Sequence, residues 1–267
     1  QFNIIIDIFY TQYPGHAKKY LLTLKSNLYT SIIVLGGDGT INEIINGILQ
    51  RDDEYLPTLG LLPGGTGNAF LHDLNLLEPI KALDPIINNK QKKIDVMQLK
   101  YDCKIEYAIN IVGFGMVADI GKLSEKLRWV GPMRYNLASL IYVMKLKHRE
   151  ATITINNQKY HKDYLFITVM NNIHTGKGMK LSPNAKIDDG LLDLILIENN
   201  VTRFELAKLL SKLLDGSHIK SNFVKYMQVK NVSINPKINE HLNIDGEIKG
   251  TTPIHISVLP KKLIIYN

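Results

Sequence analysis

With 267 residues, 45% of them hydrophobic and 21% charged, the chain can bury the core of one or two compact domains, which excludes a largely disordered protein. No apolar run is long enough to span a bilayer, and the N-terminal QFNIIIDIFY lacks the basic region and cleavage site of a signal peptide, so a cytosolic chain is expected. The single cysteine, Cys103, excludes an internal disulfide framework and a cysteine zinc site and reads as a buried or half-buried thiol. The net charge of +7 favours anionic partners such as nucleotides or acidic membrane surfaces, while the scattered Lys and Arg, without interleaved aromatics, argue against nucleic acid.

In chain order, the segments FNIIIDIFY, HAKKYLLTLKSNL, SIIVL, TINEIINGILQ, TLGLLP, GNAFLHDL and IKALDPIIN alternate strand-like and helix-like patterns. That alternation predicts parallel strands with helical crossovers. From about Lys92 onward, short β-rich runs dominate, from KKIDVMQLK and EYAINIVG to VKNVSI and IHISVL, with two longer helical stretches between them. The fold class is therefore α/β: a nucleotide-type domain over residues 1–97, then a β-rich domain over residues 98–267, with the site in the cleft between.

Within the first domain, SIIVL runs into Gly36-Gly37-Asp38-Gly39-Thr40. Ile41, Ile44, Ile45, Ile48 and Leu49 follow on one helical face. Thr40 and Glu43 have capping-box spacing, so the helix is expected to start at Thr40. Glycines at a helix N-terminus let phosphate approach free N–H groups, and Asp38 there could orient Mg²⁺ or accept a proton from a hydroxyl. An ordinary tight turn explains the same residues equally well. A second element of this design follows in LGLLPGGTGNAF, with Gly64, Gly65, Thr66 and Gly67.

Taken together, these motifs resemble the diacylglycerol kinase and sphingosine kinase superfamily of lipid kinases, marked by Gly-Gly-Asp-Gly-Thr and Pro-x-Gly-Thr-Gly-Asn. KKIDV, NIVGFGMVADIGKLSEKLRWVGPMRY, SPNAKIDDGLLDLILI and NIDGE extend the resemblance through most of the chain. The resemblance implies a Rossmann-like ATP-binding domain, a β-sandwich lipid-binding domain, and ATP- and Mg²⁺-dependent phosphorylation of a primary hydroxyl on a sphingoid base, diacylglycerol or ceramide. It implies that Asp38 is the proton acceptor or its close partner, with Asp245 and Glu247 as the alternative. It further implies that Thr11, Glu43, the glycine loops, Arg128 and Arg134 contact ATP, that Asp189 helps hold Mg²⁺, and that Asp119 and Gly121 lie where a lipid head group is gripped. Taken alone, Asp245-Gly246-Glu247 reads as a hairpin turn.

The family's N-terminal Asn-Pro-x-Ser-Gly loop has no counterpart here, so a fragment, or a lipid-binding pseudokinase that has lost turnover, is the competing expectation. NAD kinase is a more distant one. Gly113 to Ala118, GFGMVA, fits the dinucleotide fingerprint, but no acidic residue follows at the required distance. The eight histidines show no metal-like pairing, and His174 alone is flagged, in a substrate-side loop. Leu137, Leu140, Ile141 and Met144 form a stripe expected to pack as core or to wall an acyl pocket. Peripheral contact with anionic membranes is expected from the charge and from a bilayer-resident substrate.

Overall fold

The computed structural model describes residues 5–176 and 178–267, with the side chains of Arg128 and Pro132 outside that description. The first half contains α1 (His16–Thr23), β1 (Ser31–Gly36), α2 (Asp38–Leu49), β2 (Thr58–Pro63), α3 (Ala69–Asp73) and α4 (Pro79–Ile87). β1 and β2 pair in parallel from Ser31↔Thr58 to Gly36↔Pro63, so both glycine loops leave the same end of the sheet. Ile41, Ile44, Ile45 and Ile48 of α2 are buried with Leu59, Leu61, Phe70 and Leu71, as the amphipathic pattern requires.

Two local expectations fail. α2 begins at Asp38 with Gly37 as its N-cap and no side-chain cap. Instead of capping its own helix, Glu43 accepts from Gly15 N at 2.6 Å and Ala17 N at 3.2 Å, and so satisfies the start of α1. Residues 5–12 form no strand, whereas Ile33 and Leu35 of β1 remain exposed. Phe9 instead stacks on Tyr20 with ring centroids 3.9 Å apart.

The second half contains β3 (Gln91–Tyr101), β4 (Lys104–Ala108), β5 (Ile111–Gly115), α5 (Met116–Lys126), α6 (Arg134–Lys145), β6 (Arg149–Ile155), β7 (Gln158–Met170), β8 (His174–Thr175) and β9 (Met179–Lys180). β10 (Leu192–Glu198), α7 (Arg203–Ser211), β11 (Val224–Val229), β12 (Asn231–Pro236), β13 (His241–Ile244), β14 (Glu247–Thr251) and β15 (Ile254–Tyr266) complete it. The long antiparallel strands enclose a core that includes Val112, Phe114, Ile153, Val169, Leu194, Val232 and Ile256. GFGMVA does make a strand-to-helix turn. β5 is antiparallel to both β7 and β13, however, and lacks the parallel crossover that dinucleotide binding uses.

β15 ties the halves together. Its first part pairs with β12, whereas its end reaches back to pair with β2 at Ile265↔Leu59, and β3 runs alongside both parts. Leu263 and Ile265 thus belong to the first hydrophobic cluster. Where β15 bulges, the buried Asp95 carboxylate accepts from Lys261 N at 2.7 Å and Gly190 N at 2.6 Å. Cys103, expected to be at least half-buried, is exposed at the β3–β4 turn with φ +57°.

A second tie is made by Asp245. Its carboxylate, in a residue 5% exposed, accepts from Asn110 N (2.9 Å), Ile111 N (3.0 Å), Ile109 N (3.1 Å) and Asn42 Nδ2 (2.8 Å). Asp245 and Gly246 both have positive φ, +49° and +91°, the signature of a type I′ hairpin between β13 and β14. Asn46 adds to the docking of α2 by donating to Tyr107 O and accepting from Tyr107 N. Because Asp245→Asn puts an amide N–H₂ against backbone donors, it is expected to cost about 2–4 kcal/mol of stability and lower Tm. An unchanged Tm in thermal unfolding would contradict this structural role.

Candidate active site

The two glycine loops pack backbone against backbone. A Cβ on Gly65 would lie 2.4 Å from Gly37 Cα, and one on Gly64 would lie 2.9 Å from Gly36 N, so these glycines are required for the loops to meet. Gly64 N donates to Gly36 O at 3.0 Å. Asn68 clasps the second loop, accepting from Gly65 N at 3.0 Å and donating to Gly65 O at 2.9 Å. Gly67 is less confined, its nearest neighbour being Asp38 Oδ2, 3.0 Å from an added Cβ. Thr66 is exposed at the loop tip, and Thr40 packs its side chain against Gly36.

Asp38 lies where α2 begins, and its Oδ1 accepts from Phe70 N at 3.4 Å at the start of α3. Burial pushes its carboxyl above the ordinary carboxylate range, while the amides of Ala69, Phe70, Asp38 itself and Asn68 pull it back. Glu247 reaches the same helix end from the other half of the molecule. A Cβ on Gly39 would lie 3.2 Å from its Oε1. Its carboxylate is about half exposed and pairs with Lys249 Nζ at 3.2 Å, which also donates to Asn42 Oδ1 at 2.8 Å. Asp38 and Glu247 are therefore two accessible carboxylates at one helix N-terminus. Asp245, joined to Glu247 through Asn42 and Lys249, has its two oxygens occupied by four N–H donors.

The other anticipated residues fall differently. Both Glu43 oxygens accept from backbone N–H groups at the start of α1, and Thr11 is exposed in the irregular segment before α1. Asp119, expected at the lipid head group, pairs with the buried Arg149 at 2.6 Å, and Arg149 also binds Glu240. Gly121 is buried, and a Cβ there would lie 2.9 Å from both Asn243 Nδ2 and Ile248 Cδ1, the ends of two flexible side chains. Asp189 accepts from Leu191 N at 3.0 Å, in the turn that Asp95 holds through Gly190. Arg134 lies over the ring of its neighbour Tyr135 at 5.0 Å, and the side chain of Arg128 lies outside the described residues. The Leu137, Leu140 and Met144 stripe faces outward rather than into a core.

Asn42, Asn46 and Lys249 were not anticipated, whereas Asn68 closes the Pro-x-Gly-Thr-Gly-Asn motif. Asn42 and Asn46 had left a trace, as buried polar residues at i and i+4 among isoleucines. Lys249 left none, because its partners are distant in sequence.

Two family models match the chain: the diacylglycerol kinase catalytic domain over residues 1–99, and the YegS C-terminal NAD kinase beta sandwich-like domain over residues 110–267. A diacylglycerol kinase of Bacillus subtilis is 30% identical over 244 residues, spanning 86% of this chain and 78% of the relative. Sphingosine kinase 1 of Arabidopsis thaliana is 27% identical, spanning 92% of this chain and 62% of the relative. A crystal structure of a diacylglycerol kinase from Bacillus anthracis superposes with a TM-score of 0.78 at 26% identity, covering 96% of this chain and 84% of that one. The chain belongs to the diacylglycerol kinase catalytic domain family of lipid kinases.

Proposed function

We propose that the chain transfers the γ-phosphoryl group of ATP to the primary hydroxyl of a neutral, diacylglycerol-type lipid, with Asp38 as the proton acceptor. The observation that carries this is the meeting of Asp38 and Glu247 at the α2 terminus, beside two interlocked glycine loops. The free N–H groups of that terminus suit the nucleotide phosphates. Asp38, lifted by burial toward the working pH, suits proton acceptance from a hydroxyl. Among the described residues no three His, Cys, Asp or Glu side chains form a metal cage. Mg²⁺ is commonly held by one or two carboxylates together with substrate phosphates, and Glu247, about half exposed at the same helix end, is the carboxylate assigned here to hold it. Bound there, the ion would neutralise charge developing on the transferred group.

The preference for a neutral lipid over a sphingoid base rests on the head-group side. Asp119 is committed to Arg149, and Gly121 carries no side chain, so neither of these positions offers an acceptor to a free amine. Asp38→Asn is expected to lower kcat by two or more orders of magnitude with diacylglycerol in mixed micelles. In the wild type, kcat/KM should fall as pH drops through the raised pKa of Asp38, because the protonated acid cannot accept the hydroxyl proton. An acid limb in the ordinary carboxylate range, or faster turnover of sphingosine than of diacylglycerol, would contradict the respective assignment.

Membrane access belongs to the same reading. No described helix is long and apolar enough to cross a bilayer. Trp129, Leu140, Met144 and Phe204 are exposed, and Arg203 Nε donates to Met144 O at 2.8 Å, joining the start of α7 to the end of α6. Apolar side chains beside cations form a surface for the edge of an anionic bilayer. The emission of Trp129, the sole tryptophan, should shift to the blue on mixing with anionic vesicles at low salt and revert at high salt. No shift, or one indifferent to lipid charge, would contradict this docking.

A further inference from the structure

A second cleft, of about 480 Å³, opens between α3, α4 and the β8–β9 hairpin, with His72, His174, Lys81, Lys180, Glu78 and Asn75 among its lining. It borders the glycine loops, because a Cβ on Gly67 would lie 3.5 Å from Gly176 O in the same hairpin. Its histidines are built in. The Asp73 side chain, 5% exposed, accepts from Ile173 N at 2.5 Å and His174 N at 3.1 Å, and also contacts His174 Nδ1. With Nδ1 held on the carboxylate, Nε2 is the nitrogen of His174 left to meet a ligand.

His72 faces it from α3, the two ring centroids being 5.5 Å apart. Gly178, at φ +84°, makes room for that ring, since a Cβ there would lie 3.3 Å from His72 Cε1. Asn172 Nδ2 donates to both His174 O and Asn110 Oδ1 at 3.0 Å, which ties the hairpin to the clasp around Asp245. Two imidazoles held this close repel when both are charged, and a dianion between them removes the repulsion.

We propose that this cleft is an acid-gated site for a phosphomonoester, gripped by His72 and His174 and assisted by Lys180. The charged groups facing the pair are Asp38 from α2, Asp73 from α3, Glu78 and Lys81 from α4, and Lys180 from β9. Lys81 and Glu78 are bonded to each other at 2.8 Å and largely cancel, so with neutral imidazoles the cleft has little attraction for an anion. Protonation of His72 as pH falls adds positive charge beside His174 and Lys180 and opens the site. Burial and the neighbouring His174 push His72 below its ordinary value, and a bound anion reverses that.

Two sources share this ligand chemistry, a phosphorylated lipid head group and free phosphate. The test uses sulfate, whose charge is fixed over the range, and follows the ring signals of His72 and His174 by NMR at pH 6 and pH 8. Sulfate should shift both rings and bind at least about tenfold more tightly at pH 6. His72→Gln and His174→Gln should each weaken it about fivefold or more, with ATP affinity changed less than twofold. A dihexanoyl phosphatidate that competes at least about tenfold better than inorganic phosphate assigns the lipid head group; equal competition assigns free phosphate. Absent ring shifts in the wild type, equal affinity at both pH values, or sulfate binding untouched by both variants would overturn the proposal. Because these readouts need no turnover, they stand or fall apart from lipid phosphorylation.

Discussion

The Asp245 carboxylate is the constraint on which the site depends. It is buried and receives one side-chain and three backbone N–H groups, drawn from α2 and from the link between β4 and β5. A buried carboxylate is tolerated only when so fully bonded, and removing donors from it leaves an unpaired charge. Its turn can therefore occupy one place, and Glu247, two residues on, is carried to the end of α2. Asn42 binds Asp245 through its amide nitrogen and Lys249 through its oxygen, so one buried side chain fixes both the clasp and the cation beside Glu247.

The second constraint is β15. A strand that pairs with β12 at one end and β2 at the other cannot be divided between two independent bodies. Asp95 secures the bulge where the strand changes partners and holds the turn containing Asp189 in the same grip. Residues 263–265 lie with the first core although they end the sequence, so one cut in the chain does not separate the cores. The start of α2, which follows β1, and the β13–β14 turn then hold the two carboxylates at one edge of the sheet.

Much of this was legible in the chain. The isoleucine face of α2, the paired glycine loops and the change to β-rich patterning are local signals, set by the periods of helix and strand, and they recur in the fold. Asp38 was legible for the same reason, being fixed by a strand, a turn and a helix start contiguous in sequence. The failures share a cause. Glu43 has the spacing to cap its own helix yet caps α1, Asp119 meets Arg149 across the domain, and Gly121 is defined by Asn243 and Ile248. These partners lie 26 to 127 residues away, and no local pattern specifies them. The α6 stripe misled differently, because periodicity reports that a face is apolar and not what covers it.

The most direct test of the central claim, that the interlocked loops and the α2 terminus receive the nucleotide, is amide hydrogen exchange with and without Mg²⁺-ATP. Protection should concentrate in residues 37–40 and 65–68, with a smaller change at residues 245–248, where the hairpin turn meets the same helix end. Nucleotide binding that leaves the two glycine loops unprotected, or protects only the second half of the chain, would contradict the account.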